Sequence, residues 1–119
     1  MKHLQLLANN WAKRAFGLEH TTNSKVRALR LLEEAIELAQ AEGIKRHLVD
    51  HCTEIVYSRP VGQANQEIGG VLMTAAVYCG CVGRDIDEVL ATELDRVLAK
   101  PLTQFHERNQ DKINLGLTA

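Results

Sequence analysis

Three glutamates lie within little more than one turn of an otherwise apolar stretch, Leu31-Leu32-Glu33-Glu34-Ala35-Ile36-Glu37-Leu38-Ala39. On a helix at about 100° per residue, with Glu33 at zero, Glu37 falls near 40° and Glu34 near 100°, while Leu29, Leu31, Leu32, Ile36 and Leu38 fill the rest of the wheel. Like charges at this spacing repel by roughly a few tenths of a kcal/mol per i,i+4 pair, so their grouping has no structural motive. A bound cation would remove the cost. Carboxylate oxygens are hard ligands that suit Mg²⁺ or Mn²⁺ rather than zinc, and Mg²⁺ keeps positions open for water and substrate phosphates. The chemistry implied is phosphate chemistry, in which the ion neutralises a polyphosphate and lowers the pKa of an attacking water.

The acids need a second element to face. Glu67 opens the run Glu67-Ile68-Gly69-Gly70-Val71-Leu72-Met73-Thr74-Ala75-Ala76-Val77-Tyr78-Cys79, where it lines up with Val71, Thr74 and Tyr78. An acid in a first helical turn is also favoured by the macrodipole, so its position alone does not assign it a role. This run is apolar almost all round, as in a helix buried inside a bundle or between subunits. It is too short and too rich in glycine to cross a bilayer.

The remaining punctuation predicts the other helices. Leu4, Leu7, Ala8, Trp11 and Ala15 mark a first helix from about His3 to Phe16, stopped at Gly17, with a polar connector over Leu18 to Asn23. Asn23 or Ser24 is the expected N-cap of the acid-bearing helix, which ends before Gly43. A third helix is expected from Ile44 to about Tyr57, broken by Ser58-Arg59-Pro60-Val61-Gly62, and a fourth from an Asn65 cap to Gly83. Asp85 should cap a fifth, with Pro101 kinking or ending it, Leu102 to Ile113 continuing as a more polar helix, and a frayed tail from Asn114 to Ala119. The pattern predicts an all-α antiparallel four- to five-helix bundle, a single domain over residues 1–119, completed by oligomerisation.

Composition agrees with that class and narrows the partners. The chain has 119 residues, 45% hydrophobic and 4% aromatic, with a net charge of −1 and no basic block, so a nucleic-acid polymer is not an expected partner, nor is a membrane. Cys52, Cys79 and Cys81 fit small buried hydrophobes in a reducing cytoplasm; on a helix, Cys79 and Cys81 point about 200° apart, wrong for a shared metal. His47 and His51 are spaced i,i+4, but Leu48 sits where an HExxH zinc motif needs its glutamate.

Glu33-Glu34-x-x-Glu37 on one helix, followed after a third helix by Glu67 opening another, resembles the EExxE…ExxD pattern of the MazG-like all-α nucleoside triphosphate pyrophosphohydrolases, from about Trp11 to Lys100. The resemblance implies Mg²⁺-dependent cleavage of a nucleoside triphosphate to a monophosphate and pyrophosphate. It implies Glu34, Glu37 and Glu67 as metal ligands, Glu33 as the residue that orients or deprotonates water, and a homodimer or homotetramer. One departure stands out: the final aspartate of the pattern falls at Gly70. The alternative is therefore a non-catalytic bundle that binds nucleotides or a protein through a degenerate site. Trp11 is a candidate to stack on a base, and Lys100, Arg96 and Arg59 are candidates to meet phosphates.

Overall fold

Helix-breaking residues divide the chain into six α-helices with no strand, and the computed structural model describes all 119 residues. The helices are α1 (Lys2–Thr21), α2 (Ser24–Ala41), α3 (Arg46–Tyr57), α4 (Ala64–Cys81), α5 (Ile86–Leu98) and α6 (Leu102–Asn114). Six elements replace the four or five expected, because Pro101 separates α5 from α6 completely.

The ends follow capping chemistry where a short polar side chain is available. Asn23 Oδ1 accepts the Val26 N–H at 3.2 Å, and Asp85 Oδ1 accepts the Glu88 N–H at 3.0 Å. Such a cap stabilises a helix by about 1 kcal/mol. The expected Asn65 cap is not used: α4 begins at Ala64 with Gln63 as its N-cap and no side-chain bond. Helix α1 runs past Phe16. Gly17 adopts φ 80° and ψ 163°, which kinks the helix without ending it, and Thr21 Oγ1 donates to the Ala12 carbonyl at 3.1 Å across the kink. The C-terminal tail is tied down rather than frayed. Leu117 N–H donates to the Lys112 carbonyl at 2.9 Å, and the Asn23 amide donates to the Ala119 carbonyl at 3.3 Å.

The core lies where α1, α5 and α6 meet. Ala15, Leu94, Val97 and Phe105 are buried there, with Leu4, Ala8, Trp11, Phe16 and Leu102 packed against them. The Trp11 ring meets Phe16 and Phe105 edge to face, with centroids 5.3 and 4.9 Å apart. Each fully buried large apolar side chain contributes about 1.5–3 kcal/mol, so this cluster anchors α1 to α5 and α6. Helix α2 joins through Val26, the most completely buried large side chain.

Helices α3 and α4 lie outside that core. Neither has a buried residue; α3 packs only on α2, and α4 only on α5. The apolar α4, expected inside a bundle or between subunits, leaves Leu72, Met73 and Val77 between 56% and 67% exposed, because within this chain only α5 packs on it. The surface area is 9,412 Å², against about 6,450 Å² expected for a folded monomer of 13.3 kDa. The radius of gyration is 15.5 Å, against about 13.5 Å expected for this length. No helix is long and apolar enough to cross a membrane.

Candidate functional site

The face of α2 that carries the acids looks partly onto a cleft of about 440 Å³ between α1, α2, α5 and α6. Its apolar lining combines the rings of Trp11, Phe16 and Phe105 with the aliphatic side chains of Leu90, Leu94 and Val97. Its polar wall holds Arg27, Arg30 and Glu34 from α2, Glu93 and Arg96 from α5, and Arg108, Asn109 and Lys112 from α6. Volume and lining are those of a small-molecule site in which an apolar surface holds a flat group and a few polar side chains fix its orientation.

The three neighbouring glutamates divide between this cleft and the surfaces beside it. Glu34 lines the cleft. Desolvation, and then the charge of Glu37, raises its pKa above the ordinary glutamate value; Lys112 opposes that rise, and Glu33 and Glu93 add to it. Glu33 faces the start of the tail, in a hollow shared with Glu37, Leu29 and Leu117. Lys112 Nζ approaches Glu33 Oε1 at 2.9 Å, a charge contact without hydrogen-bond alignment. Glu37 also faces α3, beside Gln40, Arg46 and Asp50.

Glu67 does not join them within one chain. Its carboxylate folds over Gly62, where a Cβ would collide with it, and α4 makes no helix-to-helix contact with α2. The two helices come near each other where Tyr78 lies beside Glu42, about 16 Å along α4 from Glu67. No group of three or more His, Cys, Asp or Glu side chains is placed to hold a metal ion. One chain therefore offers an ion no more than two of these carboxylates at once, Glu34 with its neighbour Glu37 among them. Two carboxylates still fit the needs of Mg²⁺, which is commonly held by one or two of them together with substrate phosphates and water.

Trp11 and Arg96 line the cleft; Lys100 and Arg59 do not. Arg96 is held by Glu93, with its Nε donating to Oε2 at 2.8 Å and its Nη2 bonding the other oxygen. That hydrogen bond raises the Arg96 pKa. It also lowers that of Glu93, against desolvation and with help from the charges of Arg96 and Lys100. Lys100 thus sits near Glu93 at the margin of the cleft, whereas Arg59 is exposed in the α3–α4 connector.

Sequence reasoning missed Arg27, Arg30, Glu93 and the α6 wall. The two arginines were within reach of it: on the wheel that groups the acids they fall near 120° and 60°, inside the same arc. On α6, Phe105, Arg108, Asn109 and Lys112 recur at i, i+3, i+4 and i+7, one face of a helix whose polar composition hid it. Comparisons with protein families, with characterised proteins and with solved structures give no match.

Proposed function

We propose that the chain is a Mg²⁺-dependent nucleoside triphosphate pyrophosphohydrolase of MazG-like type, cleaving between the α- and β-phosphates. The observation that carries this reading is that Glu34 stands in the wall of a cleft that also presents three aromatic rings and five cationic side chains. Those are the surfaces a base and a polyphosphate need, set beside a carboxylate that desolvation, and then the charge of Glu37, leaves in want of a counter-ion. Trp11 offers its ring to the base. Arg96 and the other cations of the cleft meet the phosphates through charge-assisted hydrogen bonds. Glu34 and Glu37 would hold the ion, which when bound would neutralise the polyphosphate and acidify the attacking water. Glu33 accepts that water's proton as the bond from the α-phosphorus to its bridging oxygen breaks, giving a nucleoside monophosphate and pyrophosphate.

A second copy of the chain completes the fold in this reading. The surface in excess of a monomer is about 3,000 Å² per chain, beyond the roughly 800 Å² per partner of an ordinary interface and in keeping with obligate oligomers. Most of the large apolar side chains left exposed lie on α2, α3 and α4, of which α2 carries Glu34 and Glu37 and α4 carries Glu67. Pairing these faces is also the route by which Glu67 of one copy would come to the α2 acids of another.

The separation of Glu67 from α2 and the glycine at position 70 favour, as the second reading, a nucleotide-binding protein without turnover. Pyrophosphate release across a panel of nucleoside triphosphates, with Mg²⁺ and with EDTA, decides between the two. Mg²⁺-dependent release supports the hydrolase, and saturable binding without release leaves the binder.

A further inference from the structure

The cleft contains two arginines with buried N–H groups for which the chain supplies no acceptor. Arg27 and Arg30 are one turn apart on α2, and neither makes a salt bridge, although Arg30 is spaced i,i+4 from Glu34. Arg27 Nε and Nη2 and Arg30 Nη1 and Nη2 are buried without a hydrogen-bond acceptor. The Arg27 guanidinium lies 4.9 Å over the Phe16 ring, which fixes its position without satisfying its N–H groups. Burial, and then the charge of Arg30, lowers the Arg27 pKa. Water could accept the idle N–H bonds but would leave the two positive charges opposed. An oxyanion answers both needs, and the fork of a guanidinium matches phosphate geometry.

We propose that Arg27 and Arg30 form a phosphate-receiving subsite for the tail of a nucleotide, one that binds its anion without a divalent ion. The identity of the ligand rests on the nucleotide reading given above; the anion chemistry rests on the two arginines. The aromatic wall beside them favours a phosphate attached to a base over a free one, and Asn109 Oδ1 and Trp11 Nε1, also buried without partners, are polar atoms that such a base could use. The subsite lies on the metal-bearing helix but one to two turns before Glu34, so phosphate is held from the cationic side while the acids hold the ion.

Trp11 is the sole tryptophan and lies in the wall of the cleft, so its emission reports occupancy. The experiment titrates the full chain in EDTA with inorganic pyrophosphate and, separately, with nucleoside triphosphates. Saturable changes are expected, with the nucleotide displacing pyrophosphate. Arg27→Met and Arg30→Met should each weaken binding roughly 10- to 100-fold, the scale of a lost charged hydrogen bond, with Arg84→Met, at an exposed turn, as the unchanged control. Without ligand, Arg30→Met should melt no lower than the parent, because it removes a charge that lacks a partner. No saturable binding in EDTA, binding unchanged in both Met variants, failure of the nucleotide to displace pyrophosphate, or a lower melting temperature of unliganded Arg30→Met would each overturn the subsite. Anion binding without any Mg²⁺-dependent pyrophosphate release keeps the subsite and removes the hydrolase. Release with an unchanged KM in Arg27→Met and Arg30→Met does the reverse.

Discussion

Lys112 Nζ on α6 stands 2.9 Å from Glu33 Oε1 on α2, with both side chains less than a third exposed. The contact crosses between helices that otherwise meet mainly through α1, so it fixes where the first acid of the cluster can reach. Lys112→Met should cost about 1 kcal/mol in urea unfolding, because Glu33 keeps its charge in a partly desolvated position after losing its partner. The double variant with Glu33→Gln should recover most of that loss. A double-mutant cycle with no coupling would mean that the pair contributes nothing to stability.

Glu34 gives a pH signature whose sign follows from its surroundings. Its pKa is raised in the folded chain, by desolvation first and by Glu37 next, so the ionised form opposes folding. Stability from this group is complete below the unfolded pKa and is lost as the pH rises through the higher folded one. Glu34→Gln should therefore melt slightly higher than the parent at pH 7, by a few tenths of a kcal/mol given solvent screening, with no difference in acid. Added Mg²⁺ should stabilise the parent and not the variant. A variant that melts lower at pH 7 would contradict the sign.

Asn23 has two tasks: its Oδ1 caps α2 and its amide holds the Ala119 carbonyl. Asn23→Ala should lower stability by about 1 kcal/mol through loss of the cap. It should also loosen the tail that forms the edge of the Glu33 hollow at Leu117, seen as faster amide exchange over residues 115–119.

Much of the helix content was legible because capping and period are local. Asn23 and Asp85 cap where their side chains predict, and Pro101 stops α5. The kink at Gly17 was not legible, since a positive φ can either end a helix or bend it, and the Thr21 bond to Ala12 that favours bending spans nine residues. What covers α4 was not legible for a different reason: an all-round apolar helix states that it needs cover, but not which chain provides it. At the site, the wheel grouped Glu33, Glu34 and Glu37, yet Phe105 and Lys112 enter from a helix about seventy residues away, and no pattern within α2 carries that pairing.

Leu72 tests what covers α4. It is 56% exposed in the single chain, so Leu72→Glu would change stability by at most about 0.5 kcal/mol if that face met only water. Covered by a second copy, the same substitution buries a charge and should dissociate the assembly, read as a fall in mass by sedimentation with helix content retained. A parent that sediments as a monomer would remove the second copy from the proposed site.

Gly70 tests whether the departure from the acidic pattern limits the ion. A Cβ at this position meets nothing within 4 Å, and the residue lies inside α4, three positions after Glu67 and so on the same side of the helix. Aspartate is a somewhat better helix former than glycine, so Gly70→Asp should leave stability unchanged or slightly raised. If Glu67 belongs to the metal site, the added carboxylate supplies a further oxygen ligand and a further negative charge. Mg²⁺ affinity should then rise on the order of tenfold by calorimetry, and pyrophosphate release should saturate at lower Mg²⁺. The gain should vanish when Glu67→Gln is added, because a lone aspartate on that face leaves the pair incomplete. Equal gains with and without Glu67 would place the new carboxylate at some other cation and detach α4 from the proposed chemistry.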